Sequence, residues 1–176
     1  LAALAVPQDP GKDLRSKTVE TRLTAIEVLA KSDRPDAERL ITSVLVDRDW
    51  EVQERAAIAL GTRKSASAVK ALVDLALDGE VARVRRAAAE ALLAIDQEQG
   101  APALLRKAKP RTQVAALEAL AIVARGRSGL VEADRLQKLV HAEDPATREA
   151  AAAAGLECAT DRAATLKTLL AEPSLV

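Results

Sequence analysis

The sequence has 176 residues, of which 49% are hydrophobic, yet it contains one Trp and no Phe, Tyr or Met. Globular cores usually close around large aromatic side chains, whereas a core of Ala, Leu, Val and Ile lets many helices approach closely and evenly. Lys and Arg number 26 and Asp and Glu also number 26, so the chain as a whole has no net charge that would attract nucleic acid or an anionic membrane. The composition favours a stack of helices.

Residues 1–11 are set apart as an N-terminal extension. Ala3-Leu4-Ala5 resembles the small-x-small cleavage site that closes a secretory signal, and Pro7 follows it. A signal-peptide remnant, the tail of an earlier helix and a truncated start all fit this segment, so a cytoplasmic and an exported location both stay open. No apolar run approaches the ~18 residues of a membrane-spanning helix, and none is predicted.

Apolar residues recur at helical spacing through residues 12–176, and the breaks between these stretches carry residues that start or end helices. No stretch shows the strict alternation of a half-buried strand. The pattern predicts ten helices in five pairs, at about 17–31, 33–45, 49–61, 65–79, 80–95, 101–109, 111–124, 129–141, 144–158 and 160–173. The corresponding units span about 12–46, 47–79, 80–110, 111–142 and 143–176.

Single residues mark several of these boundaries. Asp33, Asp49 and Asp144 stand where a side-chain oxygen can accept from the free backbone N–H groups of a helix start. Pro102 is predicted to begin the second helix of the third unit. Gly61 is predicted to end its helix in the left-handed conformation.

The first helix of each pair repeats one pattern. The five copies start 31, 32, 28 and 35 residues apart and read TRLTAIEVL (21–29), VQERAAIAL (52–60), VRRAAAEAL (84–92), TQVAALEAL (112–120) and TREAAAAAG (147–155). A single helical hairpin cannot bury its apolar faces alone, so a repeat of this length indicates hairpins that stack and share one core. The sequence therefore predicts an all-α fold, an α-solenoid of about five helical hairpins.

Two of these segments, DRDWEVQERAAIALG (47–61) and VARVRRAAAEALLAI (81–95), resemble the first helix of HEAT repeats, especially the short bacterial kind named after phycobilisome lyases. In that family an Asp opens the helix, a Val and an Arg follow, and an Ala-Ala-x-Ala-Leu-Gly run packs against the next repeat. The resemblance covers about residues 12–171 and implies a right-handed superhelix whose second helices line a concave surface. Thr21 and Gly155 depart from the pattern, and the motif identifies architecture rather than activity.

No catalytic residue, metal site or cofactor is predicted, and we expect a protein that is not an enzyme. His141, the only histidine, ends a predicted helix, where a cation is favoured. Cys158, the only cysteine, lies in an Ala-rich segment typical of a small core residue. The two could act as a Cys–His pair only with a third orienting group, which the sequence does not indicate. Phosphate-binding glycine loops and zinc or calcium ligand spacings are also missing.

Charge is distributed unevenly along the chain. Residues 81–127 hold nine basic against four acidic residues, a net charge of +5, which the remaining segments balance. In one hypothesis these basic side chains pair with nearby carboxylates. In the other they converge at the turns of successive units and form a site for an acidic peptide or for phosphates, with Arg supplying forked donors. The candidate residues for that site are Arg83, Arg86, Arg106, Lys107, Lys109 and Arg111.

Trp50 follows the Asp49 cap at the edge of the stack and also has two interpretations. The ring either covers the gap between adjacent hairpins or anchors a partner, since Trp is enriched among the residues that dominate interface energies.

Together these patterns predict a non-catalytic interaction or scaffold module that binds a protein or peptide, acidic if the basic residues converge, on its concave face. Binding of the nucleic-acid backbone by the basic middle units is an alternative, although base stacking is disfavoured with Trp50 as the only aromatic ring. The family resemblance adds a tetrapyrrole lyase or chaperone as a less favoured alternative, because the aromatic residues expected around a planar chromophore are missing. Neither end reads as the polar cap of a solenoid, so membership of a longer chain and self-association are further hypotheses.

Overall fold

The computed structural model describes residues 9–127, 129–130, 133–159 and 165. In this part of the chain it contains α-helices and two short 3-10 turns and no strand. The 3-10 turns, Ala66–Ala68 and Pro110–Thr112, lead into α5 and α8. The helices are α1 (Pro10–Asp13), α2 (Val19–Ala30), α3 (Ala37–Ser43), α4 (Trp50–Thr62), α5 (Val69–Asp78), α6 (Ala82–Ile95), α7 (Gln97–Lys107), α8 (Gln113–Val123), α9 (Ala133–Val140) and α10 (Pro145–Cys158).

The helices form two layers. The first helices of the units, α2, α4, α6, α8 and α10, pack one on the next in chain order. The second helices, α3, α5, α7 and α9, each pack against the first helix of the following unit. One apolar core runs through this stack from Leu14 to Cys158. The all-α fold and the α-solenoid predicted from the repeat are therefore confirmed.

Small side chains let the first helices approach at close range. In α4 and α6 the repeated motif turns Val52, Ala56, Val84 and Ala88 fully into the core, because they recur at helical spacing along one face. Gly61 belongs to the same face.

The prediction that Gly61 ends α4 in the left-handed conformation is wrong. The helix continues to Thr62, and the left-handed residue beyond it is Lys64, with φ 54°. A Cβ at Gly61 would lie 2.9 Å from Cα of Ala91 on α6, so the glycine is needed for backbone contact between the two helices. Gly126, between α8 and α9, does take a positive φ of 77°.

The predicted caps of the first helices are confirmed where they were strongest. Asp49 accepts a hydrogen bond from the backbone N–H of Glu51 at 2.9 Å, and Asp144 accepts one from that of Thr147 at 2.8 Å. The start predicted near Asp33 is wrong, since α3 begins at Ala37.

The start predicted near residue 101 is also wrong. Asp96 caps α7 by accepting from the backbone N–H of Gln99 at 3.1 Å, so the helix begins at Gln97. Pro102 consequently lies inside α7 instead of at its start. The four-residue helix α1 was not predicted and spans the expected end of the N-terminal extension. The helix predicted at 160–173 lies outside the described residues apart from residue 165.

A side chain near the start of most first helices ties the helix to the loop before it. In each case an Arg or Gln donates a hydrogen bond to the carbonyl six residues upstream, over 2.6–2.9 Å. These residues are Arg22, Gln53, Arg85 and Arg148. Three of them are the Arg of the repeated motif, which therefore has a structural role.

The third unit is the most compact part of the stack. A single residue, Asp96, joins α6 to α7, and the repeat interval that follows is the shortest, 28 residues. As a result α5 of the second unit packs against α8 of the fourth unit as well as against α6. This arrangement sets the register between α5 and α7 and so positions the groove described next.

Candidate functional site

Many of the basic residues in the middle of the chain are paired with carboxylates of another unit. Arg83 Nε lies 2.7 Å from Glu54 Oε1, and Arg111 Nη2 lies 3.5 Å from Asp78 Oδ1. Three further ion pairs of this kind are Arg55 with Glu27, Lys107 with Asp74 and Arg127 with Glu98. In all five the carboxylate precedes the base in the chain. The acidic front and the basic middle therefore neutralise each other across the unit boundaries.

The six basic residues singled out in the sequence do not lie on one surface. Arg86 forms an ion pair within its own helix, with Glu90 at 3.0 Å, and lines a groove between α6 and α8. Arg106 and Lys107 line a different groove, between α5 and α7. Lys109 lies before the second 3-10 turn, where its backbone N–H donates to Thr112 Oγ1 at 3.0 Å.

The groove between α5 and α7, called here the second-helix groove, has a volume of about 750 Å³. Its apolar lining includes the buried Val69 and Val73 of α5 and the half-buried Pro102 and Ala103 of α7. The remaining lining residues are Ala66, Ser67, Lys70, Glu98, Gln99, Arg106 and Lys107. Small side chains on α7 leave this space open, while α5 and α7 are each fixed by the first helices beneath them.

Two cations of this groove have no carboxylate partner. Lys107 is paired with Asp74, and Glu98, the only acidic lining residue, is paired with Arg127. Lys70 and Arg106 are both exposed and form neither an ion pair nor a side-chain hydrogen bond with the residues that the structure describes. With three cations and one anion in its lining, the groove carries a net charge of +2.

The groove between α6 and α8, the first-helix groove, is smaller, about 340 Å³. Two of its three arginines are already engaged, since Arg85 donates to the carbonyl of Gly79 at 2.9 Å and Arg86 pairs with Glu90. Arg125 is the remaining one. This side of the stack therefore offers less open space and less uncommitted charge.

Trp50 lies at the junction of the second and third units. The guanidinium carbon of Arg83 on α6 lies 5.5 Å from the centre of the ring, and Arg83 is held in turn by Glu54. The ring therefore contacts the next hairpin, and it still keeps 38% of its surface exposed. Trp50 does not line the second-helix groove.

The groups most often used in catalysis are not arranged for it. Burial, followed by the negative charge of Glu157, raises the pKa of the Cys158 thiol to about 11, which disfavours the nucleophilic thiolate. Within the described ranges no group of three or more His, Cys, Asp or Glu side chains could hold a metal ion. No helix in those ranges is long and apolar enough to cross a membrane.

Sequence reasoning missed Lys70, the cation that faces Arg106 and Lys107 across the groove. On its own Lys70 reads as a solvated position of an amphipathic helix. Only the register between α5 and α7 gives it a site, and this register follows from the compact third unit.

Comparisons with known proteins agree with this architecture. The family model that describes HEAT repeats matches residues 12–93. Among solved structures, the chain is similar to the complex of CpcE and CpcF of phycocyanin lyase from Nostoc sp. PCC7120, with a TM-score of 0.56 and 22% identity over 98% of this chain and 74% of that one. An engineered protein is similar with a TM-score of 0.47 and 24% identity, over 93% of this chain and 88% of that one. No curated protein matches the sequence.

Proposed function

We propose that this chain, a HEAT-repeat protein by its match over residues 12–93, is a non-catalytic interaction module that binds a protein or peptide on the face formed by its second helices. The observation that carries the proposal is the second-helix groove, an open space of about 750 Å³ with an apolar lining and uncommitted cations. We expect this face to be the concave side of the superhelix.

The solved structure that shares the fold supports a protein partner. That structure is itself a complex of two proteins, CpcE with CpcF. Stacked hairpins suit such a role because each unit adds surface without disturbing its neighbours.

The chemistry of the described residues supports a non-catalytic role. Hydrolysis or group transfer needs a nucleophile beside a base, paired carboxylates or a bound metal. The raised pKa of Cys158 works against the first of these, and the carboxylates of the middle units are engaged with Arg and Lys.

Site-specific photocrosslinking in native cells tests the proposal. A photoreactive amino acid at the exposed Ala66 in the groove should yield a crosslinked partner protein, because the partner covers this position. The matched control is Ile58 on α4, a first helix, where the side chain is 48% exposed. Equal crosslinking from both positions, or none from Ala66, would contradict the proposal.

A tetrapyrrole lyase or chaperone is the second candidate, because the structural neighbour is named as a phycocyanin lyase complex. A planar chromophore is usually held by aromatic side chains, and the only one in this sequence, Trp50, lies outside the lining of the second-helix groove. Titration with a bilin and with haem distinguishes the candidates, since a tetrapyrrole carrier would shift the absorbance bands at stoichiometric protein.

Backbone binding to nucleic acid is less favoured by the geometry. A site for phosphates needs an array of available cations, whereas Arg83, Lys107, Arg111 and Arg127 each already face a carboxylate. Retention of the protein on DNA or RNA at low salt would revive this alternative.

A further inference from the structure

We propose, resting on the function above, that the second-helix groove selects a partner segment in which carboxylates stand beside apolar side chains, and that Lys70 and Arg106 recognise the carboxylates. This assigns both the site and the chemistry of its occupant.

The pairing pattern of the middle units provides the first argument. Along these units carboxylates of one unit meet bases of a later unit, which satisfies Arg83, Lys107, Arg111 and Arg127. Lys70 and Arg106 are both exposed in the groove, and the carboxylates nearest to them along the lining, Asp74 and Glu98, are taken by other bases. An incoming carboxylate is therefore the partner that these two cations lack.

The apolar lining provides the second argument. Val69 and Val73 are only 8% and 2% exposed, and with Pro102 and Ala103 they give the groove an apolar part between its charged residues. Burial of a Leu- or Val-sized side chain against such a surface contributes about 1.5–3 kcal/mol when complete. A volume of about 750 Å³ takes a few side chains, so the occupant is a short segment and not a folded domain.

These two features together favour an acidic peptide over a nucleic acid. Single strands bind through rows of cations and through aromatic rings that stack on bases. The lining of this groove contains two uncommitted cations and no aromatic ring. Peptide segments that combine Glu or Asp with Leu or Val match both its charged and its apolar parts.

Fluorescence anisotropy with short labelled peptides tests the proposal. The probe contains Glu, Leu and Ala, and two further peptides replace every Glu with Gln or every Leu with Ser. We expect the Glu-Leu peptide to bind about tenfold more tightly than the Gln version at low salt, because each exposed charge pair adds up to ~1 kcal/mol. NMR titration of labelled protein should place the shifts on α5 and α7.

A matched pair of charge reversals separates recognition from general electrostatics. The variant Lys70→Glu with Arg106→Glu should weaken binding of the Glu-Leu peptide about tenfold and remove its preference over the Gln version. The control Arg39→Glu with Arg125→Glu makes the same change in net charge at exposed positions outside the groove, and should stay within about twofold of the wild type. The milder Lys70→Gln with Arg106→Gln replaces the first variant if its circular dichroism shows a loss of helix.

The outcomes distinguish this inference from the proposed function. Equal binding of the Glu and Gln peptides, equal loss in both reversed variants, or shifts away from α5 and α7 would overturn the acidic selectivity. If Ala66 crosslinks a partner that the Lys70 and Arg106 variants capture equally well, the interaction module stands and the acidic selectivity falls. If the peptides behave as expected but Ala66 crosslinks nothing in cells, the selectivity stands and the proposed function falls.

Discussion

The junction between the second and third units looks different from its two sides. On the first-helix side, α4 and α6 touch so closely that a methyl group at Gly61 would lie 2.9 Å from the Ala91 backbone. On the second-helix side, α5 and α7 leave a groove of about 750 Å³. The same pair of units is therefore closed where its repeated motif is found and open where the motif is absent.

This difference separates stability from recognition within one repeat. The repeated Ala-rich helices form the continuous core, so their small side chains are fixed by backbone contact. The second helices cover that core with one face and carry unrelated residues on the other. Variation in the second helices can thus change the partner without disturbing the stack.

The sharpest way to break the closed side is Ala88→Asp. Ala88 on α6 is completely buried, so the new carboxylate would be desolvated without a partner, and we expect a loss of about 4 kcal/mol or more in the free energy of unfolding. Ala82→Asp is the control on the same helix, since residue 82 is exposed at its first turn, where an acid is favourable. Equal melting temperatures for the two variants would show that the buried face has been assigned wrongly.

A second test concerns the tie between the first two units. Arg22 is 3% exposed, its Nε lies 3.0 Å from Asp47, and it also donates to the carbonyl of Ser16. Arg22→Ala would strand Asp47, so we expect a loss of about 3 kcal/mol in urea denaturation. Arg55→Ala removes an ion pair whose side chains are 49% and 52% exposed and should cost no more than about 0.5 kcal/mol. Similar losses in both variants would contradict this ranking.

Gly61→Ala sharpens the comparison itself. A Cβ at this position presses on backbone of α6, and such overpacking costs about 1–3 kcal/mol, more than the ~1 kcal/mol that Ala gains over Gly in a helix. Gly155→Ala in α10 is the matched control, because nothing lies within 4 Å of a Cβ there. We expect calorimetry to show a lower melting temperature for the first variant and an equal or higher one for the second. Stabilisation by both would mean that α4 and α6 can separate freely.

The smallest expected effect concerns pH. The pKa of Cys158 is raised from 9.0 to about 11 in the folded chain, so between these values the folded state holds a proton that the unfolded state has lost. Stability from this thiol is complete below pH 9 and is lost as the pH rises to 11. Cys158→Ala should remove that part of the decline, as measured by denaturation at a series of pH values. An identical decline in both proteins would assign it to other groups.

Much of the fold could be predicted from the sequence because its signals are local. The apolar spacing, the Asp49 and Asp144 caps and the repeated motif all depend on residues within one helix. Gly61 was misread because a glycine at a helix end has two possible uses, and only the position of Ala91 in the next unit decides between them. Pro102 was misread because the cap at Asp96 moves the helix start five residues upstream of it.

The candidate site was harder to predict because it depends on the register between units. One signal was present in the sequence and was not used. Partners in the ion pairs between units lie 28–33 residues apart, close to the repeat interval, as in Glu27 with Arg55 or Asp74 with Lys107. A search for opposite charges one repeat apart would have found these pairs and left Lys70 and Arg106 as the cations to explain.

The order of the charges in these pairs, acid first and base later, also bears on how such a chain lengthens over evolution. A duplicated unit inserted in tandem presents its bases to the acids before it and its acids to the bases after it, so the new boundary is electrostatically compatible from the outset. Growth by whole repeats therefore needs no compensating substitutions at the seam, and a family built this way can vary freely in the number of its units.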